Sequence, residues 1–556
     1  MTDPEVEAYN VRVGTQTFAG LFQFTTNTLL VETAQAIRGM GSDIIKFYLG
    51  GPDFNRQYRI SLPASITNLV TLARDEPSCR AVLEMPFRHY ILWTYCFTPG
   101  WWTDGLSADE RTKEYNEMLA FARYLFTQYN NSGKTFYLGH WEGDWYLLPN
   151  YNTATNPSPT ALQGMRDWLN TRQQAVDEAR RTTPHTGVEV YLYTEANRVL
   201  DAMNNVPGAS QRVINQVVPY VTNLDFVSWS SYDGQNLGAQ ALRDTLNYIE
   251  SMLPTNKAAV IPGKRIFVGE YGWGGTLSYA AQEPPTRAYI KNLVQWGCPF
   301  VLFWEVYNNE PGKSFSLITP QGDPTPCYLL HARFANQARL VVARFKQDHG
   351  RLPVPVEFGS VMSSVLSQPL PAPVALSLTH APVTELAATS VTLNGLVTQG
   401  IYGQEWARLF ACWGTNDAGV DASGWAHTIL VATNHLFGAA PFTATLTNLL
   451  PDTHYYFRFL ATNPSAAAWS PGVGEFRTLT GPAPGTSPRL GISTTNQSVD
   501  LQWAVSATLY SLQTATNLRP PMVWLPVTNP PSLIGNTQRL LLPADLPVKY
   551  FRLVGS

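Results

Sequence analysis

The chain has 556 residues, past the length at which one hydrophobic core keeps growing, so about two to four domains are expected. With 44% hydrophobic and only 14% charged residues it has ample material for burial, which excludes a disordered chain. A formal net charge of -3 with no Lys/Arg run excludes the electrostatic footprint of a nucleic-acid or acidic-membrane binder.

From about residue 12 to residue 347, short β-branched and aromatic runs alternate with longer segments of helical period, the pattern of repeated βα units around a parallel sheet. The predicted strands are residues 17–24, 43–49, 81–92, 135–141, 188–194, 226–231, 265–269 and 300–305. The third helix opens on a capping box, Ser107 with Glu110, and then sets Tyr115, Met118, Leu119, Ala122, Leu125, Phe126 and Tyr129 on one face. The fourth follows Ser158-Pro159 and carries Leu162, Met165, Trp168 and Leu169 in a similar stripe; further helices are predicted near 238–253, 286–296 and 328–346. Eight units in about 335 residues fit an α/β fold of the (β/α)8 TIM-barrel type, drawn here over residues 1–350, better than an open doubly wound sheet.

Residues 351–380 are Pro- and Ser-rich without helical period, which predicts a linker. Residues 381–480 read as short alternating strands between Gly/Asn/Asp turns, and a second Pro/Gly linker at 481–488 opens a small all-β module that extends to residue 556. One or two small, sandwich-like all-β domains are therefore expected behind the barrel. The run Leu450-Pro451-Asp452-Thr453-His454-Tyr455-Tyr456-Phe457-Arg458 resembles the tyrosine-corner segment of fibronectin type III domains.

In a TIM barrel the chemistry collects at the C-terminal ends of the strands, because eight loops converge there over a filled interior. Those ends carry Gly139-His140-Trp141-Glu142-Gly143-Asp144-Trp145, Glu195-Ala196-Asn197, Ser231-Tyr232-Asp233, Gly269-Glu270-Tyr271-Gly272-Trp273 and Trp304-Glu305-Val306-Tyr307-Asn308, after strands four to eight respectively. With glutamates on strands four and seven, residues 12–347 resemble the retaining glycoside hydrolases of the large (β/α)8 group called clan A. The resemblance implies Glu142 as acid/base, Glu270 as nucleophile, Tyr232 as the aromatic residue beside the nucleophile and Trp304 as the sugar-stacking tryptophan. Residues 317–326 are similar to the turn before the last helix in many such enzymes. Two positions depart from the pattern. Trp141 stands where clan members carry the asparagine that holds the sugar 2-hydroxyl, and the strand-two arginine that supports the nucleophile has no clear match over residues 46–51. A substitute for the hydroxyl clamp is expected among His140, Asp144 and Asn197.

Two carboxyls suit this chemistry because retention needs one carboxylate to attack the anomeric carbon and one carboxylic acid to protonate the departing oxygen. A raised pKa is expected at Glu142, from neighbouring charge and from Trp141 and Trp145. Of sixteen tryptophans, Trp93, Trp101, Trp102, Trp141, Trp145, Trp229, Trp273 and Trp304 fall at or just past strand ends, where indole faces suit the CH-rich faces of sugar rings. Trp102, Trp141, Trp145, Trp273 and Trp304 are expected to contact substrate. Each has a plainer reading. Glu195 is a candidate substrate contact, and the rival acid/base if the strand count slips by one. Asp144 either tunes Glu142 or anchors a loop, and His140 is either a sugar ligand or a packing residue. Trp168 and Trp296, on helices, read as core.

The expected function is an endo-acting retaining glycoside hydrolase of a polysaccharide or oligosaccharide, with low charge leaning towards a neutral glycan. A catalytically silent glycan-binding barrel with spacer or adhesion modules is the alternative from another class. A metal-dependent hydrolase is a third, but the strand ends lack a His/Asp cluster, so neither metal nor cofactor is expected. The five cysteines have no CxxC spacing, and no apolar stretch reaches the roughly twenty residues that span a bilayer. A monomer, secreted after removal of a signal peptide, is expected from this domain order.

Overall fold

The computed structural model describes residues 3–97, 102–257, 261, 263–369, 377–398, 408–432, 440–463, 466–480, 488–495, 498–504, 510–517, 523–544 and 549–555. Eight parallel strands close into a barrel in chain order: β1 (Val13–Thr17), β2 (Ile44–Gly50), β3 (His89–Tyr95), β4 (Lys134–Gly139), β5 (Val188–Ala196), β6 (Phe226–Ser230), β7 (Ile266–Tyr271) and β8 (Val301–Phe303). Closure is made by β8 pairing with β1, Val13 opposite Val301 and Thr15 opposite Phe303. Every residue of β1, β2, β6 and β7 is buried, since side chains fill the barrel on one face and helices cover the other.

The interior is packed with rings. Phe300 meets His89 of β3 at 5.1 Å, Tyr137 of β4 at 4.9 Å and Phe267 of β7 at 5.6 Å between ring centroids. Strands β3 and β4 do not border β8, so these contacts run through the lumen.

The helical signals hold where a cap marks them. Ala108–Gln128 starts at the Ser107/Glu110 capping box, and Pro159–Thr182 starts where Ser158 Oγ accepts from Ala161 N at 3.1 Å. The later helices are Ala239–Met252, Glu283–Trp296 and Pro326–His349. Before the last of these, residues 317–326 do form a turn, with Thr319 N donating to Asp323 O at 2.8 Å and Gly322 at φ +82°.

Three predicted segments are placed differently. Strand one lies earlier than residues 17–24: β1 turns Gln16 inward to donate to Gly269 O of β7, and this polar interior position hides the strand. Phe18, Phe22 and Phe24 instead follow it in a loop and pack on Trp93, Trp304 and Tyr307. Residues 81–84 belong to the helix Pro77–Glu84, started by a proline in its first turn and by Glu76 accepting from Cys79 N at 2.6 Å, so the third strand begins only at His89. The stretch 351–380, expected to lack helix, holds Pro355–Leu366, which buries Phe358, Met362 and Leu366. Gly359 runs so close to the Glu283–Trp296 helix that a Cβ there would lie 2.4 Å from Val294 O. Pro355 in its first turn is the start signal that the Pro/Ser-rich composition masked.

Behind the barrel lie small antiparallel sheets. One has the order Ala440–Leu446, Val391–Thr398, Ser377–Thr384; the next has His427–Ala432, Arg408–Gly414, His454–Asn463, Ala466–Trp469, with Gly474–Arg477 also on His454–Asn463. They enclose a core that includes Leu393, Leu409, Phe457 and Phe459. A further pair of sheets between Gly491 and Gly555 closes on Leu501, Trp503, Leu512 and Leu540. Residues 481–487 of the second predicted linker lie outside the described residues. Among the described residues no helix is long and apolar enough to cross a membrane.

Tyr455 Oη accepts a hydrogen bond from Leu450 N at 2.9 Å while its ring stacks on Phe476. Replacing it with phenylalanine keeps the ring and removes the acceptor. Tyr455→Phe is expected to cost about 1 kcal/mol, lowering this domain's transition in calorimetry of the full chain by roughly 4–8 °C. An unmoved transition would mean that the hydroxyl contributes nothing to the corner.

Candidate active site

Towards the C-terminal ends of the strands the barrel filling changes from aromatic to ionic. Lys46, the one charged residue of β2, is fully buried, and an ammonium there requires counter-charge. Its Nζ donates to Glu195 Oε2 at 2.9 Å, to Gly269 O at 3.1 Å and to Glu270 Oε1 at 3.2 Å. It also lies 4.8 Å from the centre of the Trp93 ring. No two of β2, β5 and β7 are neighbours, so this cation ties three walls of the barrel together across its lumen.

Glu195 is used up by these contacts. Its Oε2 also accepts from Ser228 Oγ at 2.6 Å, and its Oε1 accepts from Glu142 N at 3.2 Å. It is fully buried, which removes it both as the rival acid/base and as a substrate contact. The arrangement leaves no room at Gly269, where a Cβ would lie 2.0 Å from Ser228 Oγ and 2.5 Å from Glu195 Oε2.

Glu142 follows β4 by three residues. One of its oxygens accepts from Trp145 Nε1 at 2.5 Å and the other from the Ser230 hydroxyl. Burial pushes its carboxyl up to about 7; the Ser230 and Trp145 hydrogen bonds pull the other way and the charge of Glu195 adds to the rise. The expectation that Trp145 raises this pKa is thereby corrected, because an indole N–H donor favours the ionised form. Burial likewise raises Glu270 well above the usual carboxylate range, opposed by the Lys46 ammonium and reinforced by Glu195 and Glu142. The two carboxyls thus differ in one decisive respect: Glu270 touches a cation and Glu142 does not.

Both glutamates line one cavity of about 380 Å³, together with Trp141, Trp145, Asn197, Arg198, Tyr232, Asp233, Trp304, Glu310 and Phe315. Trp304, joined to Glu305 by a cis peptide, is backed by Phe18 at 5.5 Å and Trp93 at 6.2 Å. Burial, then the charges of Glu270 and Glu142, hold the Tyr232 hydroxyl well above its ordinary pKa, so it stays a donor.

Besides Glu195, four expected contacts do not line this wall. His140 is fully buried: Nδ1 must donate to Trp141 O at 2.7 Å, since a carbonyl only accepts, and Nε2 then accepts from Thr194 Oγ1 at 2.7 Å. Burial lowers its pKa to about 3, so it stays neutral. Asp144 anchors loops, accepting from Val213 N at 2.7 Å, Asn197 N at 2.9 Å and Arg198 N at 3.0 Å. Trp102 is fully buried against Trp168, and Trp273 packs on Tyr271 and Tyr289 with its Nε1 donating to Asn236 Oδ1 at 2.9 Å. Trp101 lies outside the described residues. Of the three candidates for the hydroxyl clamp only Asn197 reaches the cavity; its Nδ2 has no hydrogen-bond partner among the described residues.

Sequence reasoning missed Lys46, Ser230, Arg198, Glu310 and Phe315. Only Lys46 carried a signal, as a lone charge in the apolar run Ile44-Ile45-Lys46-Phe47-Tyr48-Leu49. A second cavity, of about 260 Å³, shares Trp141 with the first and is lined also by Trp93, Tyr48, Tyr95, Tyr146, Gln57, Pro52, Asp53 and Arg56.

No family model and no curated protein sequence matches the chain. Solved structures similar to it include the endo-beta-1,4-mannanase from Thermotoga petrophila, 10% identical with a TM-score of 0.37 over 85% of this chain and 99% of that one. A Bacteroides uniformis beta-glucuronidase is 9% identical with a TM-score of 0.36 over 99% of this chain and 64% of that one. The chitinase ChiA74 from Bacillus thuringiensis is 11% identical with a TM-score of 0.30 over 98% of both. At such identities and TM-scores, what the cavity can do follows from its own side chains.

Lys46→Met would leave Glu195 and Glu270 buried beside no cation, an expected loss of about 3–5 kcal/mol in denaturant unfolding. Gly269→Ala, which overfills the same point, is expected to cost about 1–3 kcal/mol. Wild-type stability in Lys46→Met would show that the buried ion pairs do not hold in solution.

Proposed function

We propose that the chain is a retaining glycoside hydrolase in which Glu270 is the nucleophile and Glu142 the acid/base. The observation that carries this reading is the pair of buried glutamates on one indole-walled cavity, one braced by an ammonium and the other kept from any cation. In the first step a Glu270 oxygen bonds to the anomeric carbon, the glycosidic C–O bond breaks, and the Glu142 proton passes to the departing oxygen. In the second, Glu142 takes a proton from water, the water oxygen bonds to the anomeric carbon, and Glu270 leaves as carboxylate. Asn197 Nδ2 and the Tyr232 hydroxyl are the donors available to sugar hydroxyls in the cavity. Trp304 offers the stacking surface.

Endo action on a polysaccharide is part of the reading, supported by the second aromatic cavity that shares Trp141. A barrel that only bound glycan would have no use for two carboxyls held in opposed environments. The Leu450–Tyr455 contact supports a fibronectin type III-like second domain. The modular order supports a secreted enzyme, which we take to act as a monomer.

Reducing-sugar release across a panel of polysaccharides tests the activity, and both Glu142→Gln and Glu270→Gln are expected to lose it by about 10²–10⁴-fold or more. Full activity in both would end the proposal. Proton NMR of the first-formed product tests retention; a product of the opposite anomer would mean inversion.

A pH profile separates the two roles. An acid works only while protonated, so kcat/KM is expected to fall as pH rises through about 7, where Glu142 loses its proton. The two buried carboxyls titrate as a pair, so on the acid side kcat/KM falls where the pair takes up its second proton and no carboxylate is left to attack. For an aryl glycoside whose leaving group needs no proton, Glu142→Gln is expected to lose the alkaline limb; an alkaline limb unchanged in that variant would assign it to another group.

A further inference from the structure

The two oxygens of Glu142 are held by donors of different kinds, on different sides. Oε1 accepts from the hydroxyl of Ser230, a residue with no exposed surface at the end of β6. Oε2 accepts at 2.5 Å from the indole Nε1 of Trp145, which lines the cavity. A serine hydroxyl can turn and accept, whereas an indole nitrogen only donates. A proton carried by Glu142 in the empty cavity therefore belongs on Oε1, directed at Ser230, while Oε2 stays an acceptor. Donation to a ligand in the cavity needs the reverse: the proton has to leave from Oε2, the oxygen that the indole holds.

The indole is placed so that it can let go. Trp145 belongs to a five-residue helix, Gly143–Leu147, whose backbone stays tied to the acid by Trp145 N donating to Glu142 O at 3.1 Å. Its side chain is only partly buried, and its ring meets edge to face, at 5.8 Å, a Tyr151 that is itself 62% exposed. Rotation about the side-chain bonds would carry the N–H off Oε2 with no change in the backbone. The titratable and charged groups facing Glu142 from other strands and their ends are Glu195, Glu270, Lys46 and Tyr232, with Arg198, Asp233 and Glu310 on the same cavity wall. Among the described residues none of these donates to the Glu142 carboxyl; Ser230 and Trp145 do.

We infer that Trp145 is a catch on the acid: with the cavity empty its N–H holds the cavity-facing oxygen of Glu142, and a ligand whose glycosidic oxygen takes that place releases the indole and leaves the acid able to donate. The catch rests on the two hydrogen bonds. Its release in catalysis rests on the hydrolase reading. The N–H favours the ionised carboxylate, so its departure also lets Glu142 keep its proton to higher pH, just when the proton is needed. Trp145 is thus a positioning residue that acts through Glu142.

Two measurements on the full-length chain test the catch. In the first, the Trp145 indole proton of the ligand-free chain, assigned by its loss in Trp145→Phe, is followed by NMR across pH. It is expected to titrate near 7 with Glu142, to keep a titration in Glu270→Gln and to lose it in Glu142→Gln, whose amide oxygen accepts but cannot ionise. An indole blind to pH in the wild-type chain overturns the catch. In the second, pH profiles are recorded for Trp145→Phe, which keeps a ring in the cavity and removes the donor, on the polysaccharide hydrolysed in the panel. The alkaline limb of kcat/KM, which reports the free enzyme, is expected to move up by about one to two pH units, the worth of a hydrogen bond to a charged group. The limb of kcat, which reports the bound state where the indole has already gone, is expected to stay. Lower activity with both limbs unmoved is the mark of a merely structural wall residue and overturns the proposal; a kcat limb that moves as far as the other means that the indole never lets go, and overturns the release. A chain that hydrolyses no polysaccharide, yet shows the indole titrating with Glu142, supports the catch and sinks only the hydrolase reading. Hydrolysis by a chain whose indole is blind to pH does the reverse.

Discussion

A single buried ammonium sets the geometry of the candidate site. Lys46 is contributed by β2, its carboxylate partners by β5 and β7, and the three strands have no backbone hydrogen bonds in common. In a lumen filled by side chains the attraction is strong, but so is the cost of removing each charge from solvent, so the network contributes position more than stability. Position is what the site needs. Through Glu195 the constraint reaches Glu142, whose backbone N–H is held by the same carboxylate that holds the cation. Ammonium and nucleophile candidate lie on strands, and the acid candidate, three residues past β4, is tied to them through Glu195.

The same residue type then takes on different chemistry according to its surroundings. Glu195 faces only donors and is locked as a counter-ion. Glu270 has the cation to oppose its desolvation and an edge on the cavity. Glu142 has neutral donors alone, so its carboxyl rises to about 7 and can carry a proton at neutral pH. Asp144, satisfied by three backbone N–H groups, ties the β4 and β5 loops together and is closed to substrate. Assigning roles to these carboxyls is a matter of counting which partners each has left, and side-chain identity alone would not separate them.

That explains what could be read from the sequence and what could not. The barrel was legible because hydrophobic period switches repeatedly between strand and helix, and the glutamates were legible as strand-end residues once the strands were counted. Strand one was misplaced because its inward Gln16 serves the lumen, whereas the aromatic run after it serves a loop. Lys46 was visible as an isolated charge, yet looking for an arginine at that place turned it into an absence. His140 and Asp144 illustrate a harder limit. Their partners Thr194 and Val213 are 54 and 69 residues away, so nothing nearby in the chain reveals that their hydrogen-bonding capacity is already spent.

The tryptophans connect the ionic centre to the outside. Trp93 presents its ring to Lys46, packs behind Trp304 at 6.2 Å and lines the second cavity, so one side chain touches the charge network, the second cavity and a wall residue of the first. Burial is what raises the Glu142 carboxyl, and the Trp145 indole, which donates to it, works against that rise. A sugar ring seated against Trp141 or Trp93 would displace the remaining water and strengthen every charge interaction beneath it. Occupancy of the cavity and the proton on Glu142 are then linked: a ligand that buried Glu142 further would oppose its ionisation, while the Trp145 N–H favours it.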